Sequence, residues 1–286
     1  MTDVLLVARL GLREAVRRRV LPAVLVLSLV FLVLFWLGVG AVRDELDDNA
    51  GTFGGVPDVV RPAVDEATAG VLLGMASFAV LFLGATLAVF LTAGAIRGDA
   101  ERGLLQPLLV RPVGRVRVFV GRGLAAAAIA VPYALVLHLA STGVMRWRGD
   151  YAPPQVLVPA VELAAAVGLV ALLALALSVL LTQTAAGIAA FMSVGAGLVG
   201  GLLGQIGDAI DNATLERASD VVSSVLPFQG LYQDVLSRLT DDDGAQIVLG
   251  PLGGAEPAGP GLLVWAAVWA MLLGGAALAR FTRMDV

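Results

Sequence analysis

The chain has 286 residues, 58% of them hydrophobic, and a mean hydropathy of +0.89, well outside the range of an average soluble domain. All 19 basic residues are arginine, so no lysine exists to reach the phosphates in a Walker A loop or to form a Schiff base. With no cysteine and a single histidine, His138, the sequence also excludes disulfides, Cys nucleophiles and paired-His zinc motifs.

Residues 3–20 read as an amphipathic helix. Leu5, Ala8, Leu12 and Val16 recur at helical spacing, while Arg9, Arg13 and Arg17 fall on another face. Such a helix lies in a headgroup layer with its arginines on anionic lipid, or serves as a positive flank that orients the next segment. A bilayer span needs roughly 20 apolar residues at about 1.5 Å rise each. Six segments qualify, at about 22–42, 70–96, 118–144, 156–181, 185–206 and 261–279. The first is too long and starts too late for a signal peptide. Glu162 is the one carboxylate inside these segments away from their ends, as expected when a charge at mid-membrane costs at least about 2.5 kcal/mol.

Charge gives the topology. Arg9, Arg13, Arg17, Arg18 and Arg19 precede the first span. Arg97, Arg102, Arg111, Arg115, Arg117 and Arg122 lie between or beside the second and third, and Arg280 and Arg283 end the chain. Six crossings put all three groups on one side, which the positive-inside rule makes cytoplasmic, with both termini inside. The other side collects Asp44, Glu45, Asp47, Asp48, Asp65, Glu66, Asp208, Asp211, Glu216, Asp220, Asp234 and the triplet Asp241–Asp243, which reads as a solvated turn. Trp147, Tyr151, Trp265 and Trp269 sit where interfacial anchors are expected.

Between the second and third spans, Asp99 is suited to cap a short Leu-bearing helix that Pro107 ends or kinks, and Pro112 with Gly114 resets the chain. The expected product is a small helical knob, charged at its rim. Its Leu104, Leu105, Leu108 and Leu109 either dock onto a partner or lie against the inner leaflet. Further on, Thr182-Gln183-Thr184 makes a tight hairpin of the fourth and fifth spans. In the fifth, Ser193, Gly197, Gly200, Gly201 and Gly204 form a small-residue stripe suited to packing within the subunit, a dimer seam or a pathway wall.

The outer segment 207–260 is too long for a turn. Val221, Val222 and Val225, then Leu231, Val235, Leu236 and Leu239, predict two short amphipathic helices broken at Pro227. Asn212-Ala213-Thr214 matches a glycosylation sequon, a short motif often met by chance. His138, with Ser141 as its nearest local nucleophile, lacks the elbow motif of a hydrolase and reads as a hydrogen-bonded helix-facing histidine. Glu162 is expected to snorkel or to pair with another helix, with a proton relay or substrate contact as the alternative. The sequence thus predicts an all-α polytopic membrane protein of six transmembrane helices, with no catalytic constellation and no metal site.

The run Glu101–Arg115 resembles the first cytoplasmic loop of the membrane subunits of ATP-binding-cassette transporters, the type-2 (exporter-like) permease family. That loop runs Glu-x-Gly-Thr-x-Glu-x-Leu-Leu, then Pro-x-Ser-Arg, then Gly-Lys. Glu101, Gly103, Leu105, Leu108, Leu109, Pro112, Val113, Arg115 and Gly121 occupy matching positions, while Leu104, Gln106, Pro107, Gly114 and Arg122 depart from the pattern.

The resemblance implies one permease domain over 1–286, with an elbow helix at 3–20, a coupling loop at 97–117 and an outer re-entrant region at 207–260. It assigns coupling to a cytoplasmic ATPase to Asp99, Glu101, Arg102, Gly103, Leu104, Leu105, Leu108, Leu109, Arg111, Pro112 and Arg115. It implies a second permease subunit, a central path flanked by the second and fifth spans, and a bacterial or archaeal inner membrane. The chain itself would hold no cofactor; ATP and Mg would sit on the partner ATPase, and no nucleic acid is involved. The rivals are an ion-coupled secondary transporter, which should carry several intramembrane acids or repeated broken helices, a membrane-embedded enzyme, and a non-transporting module that transmits ATPase motion.

Overall fold

A computed structural model describes residues 2–17, 19–52, 61–96, 98, 114–239, 259 and 261–284. Among these residues the chain is all-α: α1 (Thr2–Arg17), α2 (Val20–Thr52), α3 (Arg61–Thr92), α4 (Arg115–Arg148), α5 (Leu157–Leu180), α6 (Gln183–Ala209), α7 (Ala213–Val225), α8 (Pro227–Leu239) and α9 (Gly261–Thr282). Six of them, α2 to α6 and α9, are long and apolar enough to cross a membrane, and they correspond one to one with the six apolar segments. The ends of the spans therefore separate into an arginine-rich end, with both termini, and an acid-rich end.

α3 and α5 form the centre of the bundle: 61% and 72% of their most apolar stretches are buried, against 11% for both α2 and α9. Small residues make this possible. Ala85 and Ala88 of α3 and Ala164, Ala166, Ala171 and Ala174 of α5 are buried, and a Cβ on Gly84 would fall 2.6 Å from Val167. Between helices in lipid, such close backbone approach replaces the hydrophobic drive that water supplies elsewhere. α2 and α9 instead turn large side chains outward, among them Leu25, Leu29, Val33, Leu37, Leu263 and Met271, as bilayer-facing helices should.

α2 is fastened to α4 by polar contacts. Ser28 shares a hydrogen bond with Tyr133. At the acid-rich end Arg148 lies 5.4 Å from the centroid of Trp36 and 3.7 Å from Asp44, while Arg43 pairs with Asp150 at 3.2 Å. Gly40 is what lets the Arg148 guanidinium in, because a Cβ there would sit 2.6 Å from its Nε.

α1 packs along α4, but not through the stripe expected from spacing. Val7, Gly11 and Ala15 are the buried residues, whereas Leu5 and Leu12 are exposed. The reason is the width of the contact. A Cβ on Gly121 would fall 2.7 Å from Val7, and one on Gly11 would fall 2.9 Å from Ala125, so only small side chains fit between the two backbones.

Two short helices follow α6, broken at Pro227 as the sequence predicts. Asn212 caps α7, its side chain accepting from the backbone N–H groups of Thr214 and Leu215. A cap of this kind is worth about 1 kcal/mol, so the sequon-like Asn212-Ala213-Thr214 acts as a helix start. α7 has no buried residue, while α8 is buried along nearly its whole length. It inserts among α3, α5, α6 and α9, which is deeper than its amphipathic pattern predicts. The glycine stripe of α6 receives both helices: Gly200 and Gly204 face Val222 and Ser219 of α7, and Gly197 and Gly201 face Gln229 and Gln233 of α8. Of the three uses open to that stripe, packing within the subunit is the one observed.

Candidate functional site

Of the residues assigned to coupling, Asp99, Glu101, Arg102, Gly103, Leu104, Leu105, Leu108, Leu109, Arg111 and Pro112 lie outside the described residues, as does Pro107 with its expected kink. Arg115 is described, on the first turn of α4. Its Nη1 donates to the carbonyls of Phe281 at 3.2 Å and Thr282 at 2.9 Å, and to that of Met284. Phe281 and Thr282 carry the last carbonyls of α9, where i+4 donors within the helix run out, and Met284 lies just beyond it; the Phe281 carbonyl also accepts from the Met284 N–H at 3.3 Å. A cation at a helix C-terminus is also favoured by the helix dipole.

The flanks of the loop meet the bundle at other points. On the leading side, the Gln183 side chain at the start of α6 lies against Gly94 and Gly98, so close that a Cβ on Gly94 would fall 2.8 Å from it. On the trailing side, Arg122 donates to Glu14 of α1 at 2.8 Å. Arg122, the residue standing in for a lysine of the resembled pattern, thus ties the N-terminal helix to the third span.

At the acid-rich end, two buried carboxylates converge on one guanidinium. Glu162 of α5 and Asp234 of α8 are each 4% exposed. Arg238 donates from Nε to Asp234 at 2.9 Å and reaches Glu162 at 3.4 Å, and its Nη1 points to Gln155 at 3.4 Å. Hydrogen bonding to Asp234 raises the Arg238 pKa above its ordinary value, so the guanidinium is charged at any physiological pH. Of the readings open to Glu162, pairing with another helix is the one found. The partner, Arg238, was invisible to pattern reasoning because it lies far along the chain; the available signal was an arginine isolated among acids.

His138 departs from expectation. It is 1% exposed and neither ring nitrogen has a hydrogen-bond partner. Ser141 donates to the Leu137 carbonyl at 3.0 Å, so the described contacts do not join the two into a nucleophile–base pair. The aromatic anchors divide. Trp147 is 94% exposed, and Trp265 donates its Nε1–H to the Ser224 carbonyl at 2.7 Å, tying α7 to α9. A cavity of about 210 Å³ opens at the acid-rich ends of α2, α3 and α4, with Arg43, Asp47, Asp65, Thr68, Asp150 and Tyr151 in its wall. Among the described residues no cluster of His, Cys, Asp or Glu could hold a metal ion.

Six spans, four of them around two small-residue helices, opposite charge at the two ends and a polar helix inserted at one of them define a multi-pass membrane protein. The chain belongs to the ABC-2 family of transporter proteins, whose family model matches residues 5–286, nearly its whole length. It is accordingly a membrane permease subunit of the ATP-binding-cassette transporter class. A search of curated proteins finds no match to it.

Proposed function

We propose that the chain is the permease of an exporter and draws its energy from separate cytoplasmic ATPase subunits that dock on the loop at 97–117. Two permease subunits and two ATPases form the working unit, and closure of the ATPases around ATP rocks the spans between inward- and outward-open arrangements. The observation that carries this reading is the family match over residues 5–286, joined to the run Glu101–Arg115 at the arginine-rich end. The lysine-free sequence supports the division of labour, since a chain without lysine must take its Walker A site from another polypeptide. The arginine distribution favours cytoplasmic termini, and the family resemblance favours a bacterial or archaeal inner membrane. Glu162, the acid an ion-coupled carrier would use, lies 3.4 Å from the Arg238 guanidinium as an ion pair, although that carboxylate oxygen accepts no hydrogen bond.

The experiment is purification from the native membrane, followed by reconstitution. A lysine-containing P-loop ATPase is expected to co-purify and to be stimulated by the chain. The double substitution Arg102→Asp and Leu105→Asp should abolish stimulation without preventing membrane insertion. Unchanged association and stimulation in that variant would remove the loop from the docking site.

A further inference from the structure

The buried apolar residues fall into two separate clusters. The larger fills the bundle, and the smaller lies at the arginine-rich end. The smaller joins four segments: Ala95 and Ile96 just after α3, Val118 and Phe119 at the start of α4, Leu175, Ala176 and Val179 at the end of α5, and Ala277 and Phe281 at the end of α9. The first two pairs flank the loop on either side. α2 and α6 supply no buried residue to this cluster. Phe281 belongs to it twice over, since its ring is packed inside while its carbonyl accepts from Arg115.

We infer that Arg115 and Phe281 make the last span a direct follower of the loop, so that a push on the loop moves the inner ends of α3, α4, α5 and α9 as one block. The inference rests on the permease reading above and adds the route by which force leaves the loop. Arg115 is a positioning residue in this scheme, holding the end of α9 and not the ATPase. Its guanidinium is spent on three carbonyls of the chain's own C-terminal segment. Charge-assisted bonds in a partly buried setting are the stronger kind, and packed apolar clusters shift as units rather than deform continuously. Glu14 on Arg122 brings α1 along with the block, as a lever lying beside it.

The test uses proteoliposomes that hold the chain with the ATPase that co-purifies with it. It reads the ATPase rate with and without the chain, a quantity that requires no known substrate. Arg115→Cys should insert and keep its ATPase while stimulation falls about tenfold, the scale of one charge-assisted hydrogen bond. Because the chain has no cysteine, Arg115→Cys with Met284→Cys can be joined selectively by a bismaleimide. That tie should restore stimulation, since it replaces the clamp without restoring the charge.

Full stimulation in Arg115→Cys overturns the inference. So does a loss that cross-linking leaves unrepaired, which would mean that the arginine contacts the ATPase itself. Should Arg115→Cys fail to insert, Phe281→Ala takes its place: lost stimulation with the ATPase still bound supports the block, and full stimulation overturns it. A wild-type chain that neither binds nor stimulates an ATPase would instead defeat the permease reading beneath it.

Discussion

Arg238 stands between two carboxylates that the bundle has taken out of water, and its removal is a different perturbation from removal of either acid. Glu162 and Asp234 are each 4% exposed, so without the guanidinium the two acids are left against each other, out of water and with no counter-charge. Breaking a buried pair costs about 3–5 kcal/mol, and the lower end applies here because the Arg238 side chain is 31% exposed. Arg238→Met should therefore lower the thermal unfolding midpoint in detergent sharply. Adding Glu162→Gln should recover much of the loss, since one buried charge then disappears. Equal midpoints for the single and double variants would show that Glu162 does not depend on Arg238.

At the scale of the element, α6 makes a finer distinction, because the glycines of its stripe and those off it, such as Gly195, are not equivalent. A Cβ on Gly200 would meet the Val222 side chain at less than the distance real Cβ atoms tolerate, whereas one on Gly195 would meet nothing within 4 Å. Gly200→Ala should loosen α7 at a cost of about 1–3 kcal/mol, seen as faster tryptic cleavage at the exposed Arg217. Gly195→Ala should leave cleavage unchanged and stabilise α6 by up to ~1 kcal/mol. If both variants cleave alike, α7 is not held by the stripe. The sequence announced the stripe but not its occupant. Small residues at four-residue spacing say that a backbone comes close, never which one. The burial of α8 was missed in the same way, since Gln229, Gln233 and Asp234 make it look like a surface helix, and burial among other helices leaves no local mark. α1 misled for the opposite reason: its large apolar residues Leu5 and Leu12 are exposed, and the contact to α4 uses the small ones. What was legible was whatever depends on length and composition alone, namely the six spans and the break at Pro227.

For the whole molecule, the same spans admit two orientations, and only charge chooses between them. Arginines of α1, the flanks of the loop and the tail share one end, while α7 and the turns at Asp150 and Asp211 share the other. Inserting the reverse way would carry the arginine-rich α1 and the loop across the bilayer, the outcome the positive-inside rule opposes. It would also place the loop where no ATP is available, so the proposed function and the orientation stand together. The absence of cysteine makes this directly measurable. Arg217→Cys on α7 and Arg283→Cys after α9 each introduce one thiol at an exposed position. A membrane-impermeant maleimide should label Arg217→Cys in intact cells and Arg283→Cys only after permeabilisation. The reverse pattern would invert the topology and remove the loop from reach of a cytoplasmic ATPase. Labelling of both thiols in intact cells would mean an even number of crossings between them, so that α9, the one span among the described residues between the two positions, does not cross.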